Sequence, residues 1–212
     1  MFNEIFIIKY MIHSRYKNNT PSFEEEDIIL NKTKIPHQIN GNEIYFYSQV
    51  DLESIYHLNR SLSDIEKQML ITQINLGLSD PPHIKLFINS DGGEIFSAFT
   101  TVDRIKSSRV PIYTYVEGIC ASAATLISVC GTKRYMGKNS VMLVHQLRSW
   151  CGGTHENFKD EVRNLNLLSE KVRKIYLEHT KFTASDLDEM LKHDIYLSAT
   201  DCLNYGLVDE IV

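Results

Sequence analysis

The chain has 212 residues, of which 43% are hydrophobic and 23% charged, and these proportions are typical of one globular domain with a sizeable core. The formal net charge of −5 gives no reason to expect nucleic acid or an acidic membrane as a partner. No apolar run approaches the roughly 20 residues that span a bilayer, and residues 1–11 lack the basic start and cleavage site of a signal peptide. We therefore expect a cytoplasmic protein.

Cysteine usage points to the same kind of compartment. Cys120, Cys130, Cys151 and Cys202 show neither CxxC pairing nor the spacing of a zinc site, so we expect no metal. All except Cys151 lie in apolar or helical patterns, which indicates small buried side chains and a reducing environment. The chain is also rich in Asn, Ile, Lys and Tyr, as are proteins of AT-rich genomes, so a plastid stroma or a phage-infected host cytoplasm also fits.

The N-terminal part of the chain is the least informative. Residues 1–41 carry a loop-like stretch and an acidic run over residues 24–27, and neither predicts any chemistry. Regular structure begins with a strand over residues 43–47. Asp51 then caps a long helix, whose apolar residues recur at helical spacing over residues 55–69.

The next two segments repeat the order strand, turn and helix. A strand over residues 84–88 ends at a glycine pair, and residues 95–105 have the apolar spacing of a helix. A β-branched run over residues 110–116 predicts another strand, which leads through a tight turn over residues 118–124 into an apolar helix over residues 125–130. Strands that alternate with helices in this way predict an α/β domain.

The last third of the chain is predicted to be mainly helical. Two short strands come first, over residues 134–136 and 141–145. A polar, glycine-bearing segment over residues 148–155 has the composition of a loop, and the longest helix follows over residues 156–180 with one apolar stripe. Capping boxes that begin at Thr183 and Ser198 open two short helices.

Ser122 lies at the junction between the third strand and its helix, where the first backbone N–H groups of a helix have no partner. Its neighbours Ala121, Ala123 and Ala124 are small enough to let another chain approach closely. A serine nucleophile needs this position, because backbone donors must meet the oxyanion. The same pattern also fits a small residue in a packed turn, and this stretch alone does not separate the two interpretations.

Three further signals would complete such a site. The pair Gly92-Gly93 after a strand lets backbone N–H groups turn toward a bound oxygen, although a plain tight turn has the same pattern. His145 lies at the end of an apolar strand and Asp194 between two capped helices, and each alone is more typical of a structural residue. Together with Ser122 they supply a nucleophile, a base, an orienting carboxylate and oxyanion donors, in the chain order Ser, His, Asp.

Four motifs in this order resemble those of the Clp protease proteolytic subunit, the ClpP family, and the resemblance covers about residues 42–212. The motifs are FINSDGG (residues 87–93), GICASAA (118–124), NSVMLVHQ (139–146) and DIYLSA (194–199) followed by YGLVD (205–209). Residues 1–41 are a divergent N-terminal segment on this interpretation.

The resemblance implies an α/β fold of the ClpP/crotonase-like kind, in which ββα units form a superhelix with a protruding strand-helix handle at about residues 147–180. It implies self-assembly into two stacked heptameric rings, a tetradecamer that encloses a proteolytic chamber. It also implies polypeptide substrates and a AAA+ Clp unfoldase as partner.

The resemblance further implies a serine endopeptidase of an ATP-dependent protease, with each role carried by a matching residue. Ser122 is then the nucleophile, His145 the base and Asp194 the carboxylate that orients the base. The backbone N–H groups of Gly93 and Ala123 form the oxyanion hole. No metal or organic cofactor is implied, since the ATP is used by the unfoldase.

Three departures from the family pattern bear on this expectation. Asp91 replaces a proline beside the oxyanion loop, His193 replaces an arginine that bridges the two rings, and residues 1–40 do not match the axial segment that engages the unfoldase. The alternatives are a viral maturation protease of Clp type, a non-catalytic ring subunit, and a crotonase-type acyl-CoA enzyme. The complete triad argues against the non-catalytic subunit, and the lack of an evident CoA-phosphate site argues against the acyl-CoA enzyme.

Overall fold

Eight strands and six helices form the part of the chain that this computed structural model describes, residues 38–212. The loop-like stretch and the acidic run of the N-terminal segment lie outside the described residues. The strands are β1 (Gln38–Asn40), β2 (Glu43–Phe46), β3 (Ile84–Ser90), β4 (Ile112–Ala121), β5 (Lys133–Met136), β6 (Val141–Leu143), β7 (Tyr196–Leu197) and β8 (Glu210–Ile211).

Four of the six helices in the described residues begin at a side chain that caps them. Asp51, Thr154, Thr183 and Ser198 each accept a hydrogen bond from a backbone N–H of the first turn, so one otherwise unpaired donor is satisfied at each start. The helices are α1 (Leu52–Leu76), α2 (Ile95–Lys106), α3 (Ala123–Val129), α4 (His155–His179), α5 (Ala184–Leu191) and α6 (Ala199–Asn204).

One largely parallel sheet organises the domain, with the strand order β1-β2-β3-β4-β5-β8 and β1 antiparallel at the edge. Alternate residues of β3, beginning with Ile84, are fully buried against the core. The other face of the sheet carries a row of stacked rings, with neighbouring centroids 4.7, 4.7 and 4.6 Å apart, formed by Tyr45, Phe87, Tyr115 and Tyr135.

Strand β4 is longer than the sequence predicts, and the extra length positions the site. It continues through Gly118, whose positive φ of 66° interrupts the regular extended conformation, and ends at Ala121. Before Gly118 the strand pairs with β3 and β5, whereas beyond it residues 119–121 pair with β6 and Cys120 pairs with Ser90 of β3 after a register shift. The turn predicted over residues 118–124 is therefore narrower and is centred on Ser122.

Helix α4 is the predicted long helix, and only part of it packs on the domain. Its C-terminal half buries Leu168, Val172, Ile175 and Tyr176, whereas nearly all residues of its N-terminal half are exposed. The handle strand that the resemblance implies is not formed in the single chain, where residues 147–154 have no strand partner. A strand requires a neighbouring ladder, so this segment alone cannot make one.

The predicted α/β class is confirmed by this architecture. Within residues 38–212, no helix is both long enough and apolar enough to cross a membrane.

Candidate active site

Ser122 stands between the end of β4 and the start of α3, as the sequence predicts. Its φ of 54° and ψ of −126° are unusual for a residue with a side chain, and no other non-glycine residue in the described range has a positive φ. The conformation is held by a bond from Ser122 N–H to the Leu143 carbonyl at 2.8 Å and by a bond from Thr125 N–H to the Ser122 carbonyl at 3.0 Å. The hydroxyl makes no capping bond to α3. A strained serine at a strand-to-helix turn is typical of nucleophile positions.

The loop after β3 packs directly on this turn because Gly92 has no side chain. A Cβ on Gly92 would lie only 2.7 Å from the Cβ of Ser122. Val50 holds the loop from its other side, where its N–H donates to the Gly92 carbonyl at 2.8 Å and its carbonyl accepts from Glu94 N–H at 2.7 Å. These bonds use the residues on either side of Gly93, so the N–H of Gly93 faces away from Val50.

Strand pairing brings His145 to the same place. Strand β6 runs parallel to β4 with Leu143 opposite Ala121, so Ser122 and His145 leave the two strands at the same edge of the sheet. Both residues line one pocket. The predicted strand over residues 141–145 ends at Leu143, which frees the histidine from the ladder.

Asp194 reaches His145 through a second ladder. Strand β7 is antiparallel to β6 with Tyr196 opposite Leu143, and two more residues along this register place Asp194 opposite His145. The Oδ1 atom of Asp194 lies 3.5 Å from Nδ1 of His145, and this buried nitrogen makes no hydrogen bond of good geometry to any described residue. The Oδ2 atom accepts a hydrogen bond from Nη2 of Arg148.

The protonation of His145 follows from its surroundings. Burial lowers the pKa of its imidazole, because the charged ring is poorly solvated there. The Asp194 charge opposes this effect and the Arg148 charge adds to it, and the net effect lowers the pKa from its ordinary value. The lowered pKa favours the neutral ring, which is the form that can accept a proton.

A small pocket joins the predicted groups. Its polar part is formed by Gly93, Ser122, Ala123, His145 and Gln146. Its walls are mainly apolar and are formed by Ile95, Leu126, Leu147, Val172 and Tyr176. Asp194 does not line the pocket and touches it only through His145. The pocket therefore brings Ser122 and His145 together beside apolar side chains.

Two of the departures from the family pattern, Asp91 and His193, do not line the pocket, and most of the third, residues 1–37, lies outside the described residues. Asp91 is exposed and is absent from the pocket lining. The Nε2 atom of His193, two residues after the end of α5, is 3.3 Å from Oε1 of Glu189 on that helix. No sequence pattern singles out Arg148 or Tyr176, because their contacts with site residues join positions that are far apart in the chain.

The described residues contain no cluster of His, Cys, Asp and Glu that could hold a metal ion. All four cysteines are free, and Cys120, Cys130 and Cys202 are buried as predicted. Burial raises the pKa of each of these three thiols, which keeps them protonated and therefore poorly nucleophilic.

Comparisons with known proteins agree on one family. The family model for Clp protease matches residues 40–212. The ATP-dependent Clp protease proteolytic subunit of Epifagus virginiana is 29% identical over 185 residues, which cover 83% of this chain and 94% of that protein. A point mutant of ClpP1 from Listeria monocytogenes matches with a TM-score of 0.69 at 22% identity, covering 81% of this chain and 91% of that chain.

The structural match defines the class of the fold, which is the crotonase-like α/β fold of ClpP, as predicted. The chain belongs to the Clp protease family. This membership supports a ClpP-type peptidase.

Proposed function

We propose that the chain is a serine endopeptidase in which Ser122, His145 and Asp194 act as a triad. The Oγ atom of Ser122 attacks the carbonyl carbon of a peptide bond, and His145 takes the serine proton. The backbone N–H groups of Gly93 and Ala123 hold the oxyanion. The imidazolium then gives its proton to the leaving amine, and water, activated by the same ring, releases the acyl group from Ser122.

One observation carries this proposal: two strand ladders that share β6 bring the three side chains to one edge of the sheet. In the β4–β6 register Ala121 lies opposite Leu143, so Ser122 and His145 both follow the strand ends at the same edge, and the β6–β7 register continues to place Asp194 opposite His145. The lowered pKa of His145 supports its role as the base. The turn at Gly92 supports the oxyanion hole, because a side chain there would collide with Ser122.

The proposed working form is a tetradecamer of two stacked heptameric rings that enclose the active sites, with polypeptides as substrates. The exposed apolar side chains of the α4 N-terminal half support burial against other copies. A AAA+ Clp unfoldase is the proposed partner, and it would consume the ATP, so this chain needs no cofactor of its own. The proposed location is the cytoplasm or a plastid stroma, where four free cysteines stay reduced.

The test is hydrolysis of short fluorogenic peptides by the full chain without any unfoldase. We expect turnover by the wild type, loss on the order of 10³-fold or more in Ser122→Ala and a large loss in Asp194→Asn. Ser79→Ala is the matched control, because Ser79 is exposed and hydrogen-bonded to Asp80 far from the pocket. Wild-type turnover by Ser122→Ala would contradict the proposal.

A further inference from the structure

Two buried hydroxyl groups connect α4 to the Ser122 turn. Thr125 on α3 is 0% exposed and Tyr176 on α4 is 2% exposed, and their hydroxyl oxygens are 2.5 Å apart. The Oγ1 atom of Thr125 also lies 2.5 Å from the carbonyl oxygen of Ser122. Neither hydroxyl takes part in the triad chemistry.

Proton counting gives the direction of both bonds. A hydroxyl donates one hydrogen, and a carbonyl oxygen can only accept. Thr125 therefore donates its hydroxyl hydrogen bond to the Ser122 carbonyl, and the Tyr176 hydroxyl must donate to Oγ1 of Thr125. Burial raises the pKa of Tyr176, so its hydroxyl remains protonated throughout the working pH range.

The final acceptor of these hydrogen bonds, the Ser122 carbonyl, belongs to the peptide group that carries the proposed oxyanion donor, the Ala123 N–H. The carbonyl of Ser122 and the N–H of Ala123 are the two ends of one planar unit, so whatever fixes the oxygen also fixes the direction of the N–H. A carbonyl that accepts hydrogen bonds is polarised, which makes the N–H at the other end a stronger donor. The Ser122 carbonyl accepts two bonds, one from the backbone and one from the side chain of Thr125.

We propose that Thr125 and Tyr176 are positioning residues that aim and polarise the Ala123 N–H for the oxyanion. The inference rests on the proposed function, since it assigns a purpose to the oxyanion donor named there. It also gives α4 a direct mechanical link to the nucleophile turn, through the side chain of Tyr176. The competing interpretation is that the two hydroxyls only attach α4 to α3.

The test compares three folded variants of the full chain. Thr125→Val removes the hydroxyl at nearly constant volume, Thr125→Ser keeps it, and Tyr176→Phe removes only the distal oxygen while retaining the ring in the pocket wall. Steady-state kinetics on a short peptide would give kcat and KM, and inhibition by a peptide boronate would report on binding of the tetrahedral adduct. Circular dichroism and thermal unfolding would report folding and stability separately.

We expect kcat to fall about tenfold in Thr125→Val and less in Tyr176→Phe, with KM within about twofold of the wild type, because removal of a whole oxyanion donor costs on the order of 10²-fold to 10³-fold. Boronate affinity should fall in step with kcat, and Thr125→Ser should restore both. If Thr125→Val does not fold, kcat and boronate affinity of Tyr176→Phe and Thr125→Ser still distinguish positioning from simple attachment.

Wild-type kcat and boronate affinity in the folded variants, with only a lower unfolding temperature, would overturn the inference in favour of simple attachment. A change confined to KM would overturn it as well. Failure of the proposed function is a separate result, since it would appear as full activity in Ser122→Ala.

Discussion

At the scale of single residues, Arg148 is the side chain that most affects how the proposed triad is arranged. It binds Oδ2 of Asp194 and leaves Oδ1 directed at His145. Asp194 is half exposed and lies in a loop, so without this bond its carboxylate would be free to rotate into solvent. The positive charge of Arg148 also lowers the pKa of His145, in addition to the larger effect of burial.

The Arg148→Gln variant should shift the pH dependence of kcat/KM. The base must be neutral to act, so activity rises with pH through the pKa of His145, which burial lowers in the wild type. Removal of the cation should raise this pKa, and the acid limb should move to higher pH while kcat falls. Arg148→Lys, which keeps the charge, should move the limb less. An acid limb that stays in place or moves to lower pH in Arg148→Gln would contradict this account.

The site residues differ in how far the sequence could reveal them. Ser122, His145 and Asp194 lie in motifs that are ambiguous one by one and become informative only together and in order, so the sequence could single them out as candidates. Thr125 and Tyr176 meet across 51 positions, and Arg148 meets Asp194 across 46, inside segments with no distinctive pattern. Contacts between two ordinary residues at such separations depend on how the elements pack, and a single sequence does not carry that information.

At the scale of elements, helix α4 carries large apolar side chains that an isolated domain would leave exposed to water. The predicted apolar stripe is present, but its members have different environments: Val172 is buried, whereas Phe158 is 47% and Val162 is 59% exposed. Large apolar side chains that remain exposed on a protruding helix are typical of a surface covered in an assembly. The exposed N-terminal half of α4 is therefore where we expect another copy to bind.

The wild type should form an assembly many times heavier than its 24.4 kDa chain, as measured by light scattering coupled to size exclusion. Phe158→Glu and Val162→Glu should lower that mass, because a charge would be buried in the contact. Asn164→Glu adds the same charge at an exposed polar position of the same helix and should leave the mass unchanged. A monodisperse wild-type monomer at micromolar concentration would rule out the assembly.

Element boundaries were predictable where local chemistry sets them and not where a partner strand does. The start of α1 at Asp51 follows from its capping side chain, which the sequence displays. The end of β4 at Ala121 depends on pairing with β6, so the position of this end could not be predicted from residues 118–121 alone. The handle strand is missing for a related reason: a strand forms only beside a partner strand, and residues 147–154 have no ladder partner within the described chain.

At the scale of the whole molecule, the pocket exists only when distant segments meet. The glycine loop follows β3, Ser122 follows β4, His145 follows β6 and Asp194 precedes β7, so four parts of the sheet must pair correctly before the groups lie together. An unfolded chain would keep every motif and lose the reactive arrangement. Reactivity of Ser122 is therefore a property of the native fold.

The most direct measurement is labelling of the native protein with a fluorophosphonate probe, followed by mass spectrometry of its peptides. We expect one adduct, on Ser122, because only an activated serine beside a neutral base attacks such a probe at neutral pH. The adduct should disappear when the protein is denatured in urea and in Ser122→Ala, and it should weaken strongly in His145→Ala. An adduct on another residue, or labelling that persists in Ser122→Ala, would contradict the assignment of Ser122 as the nucleophile.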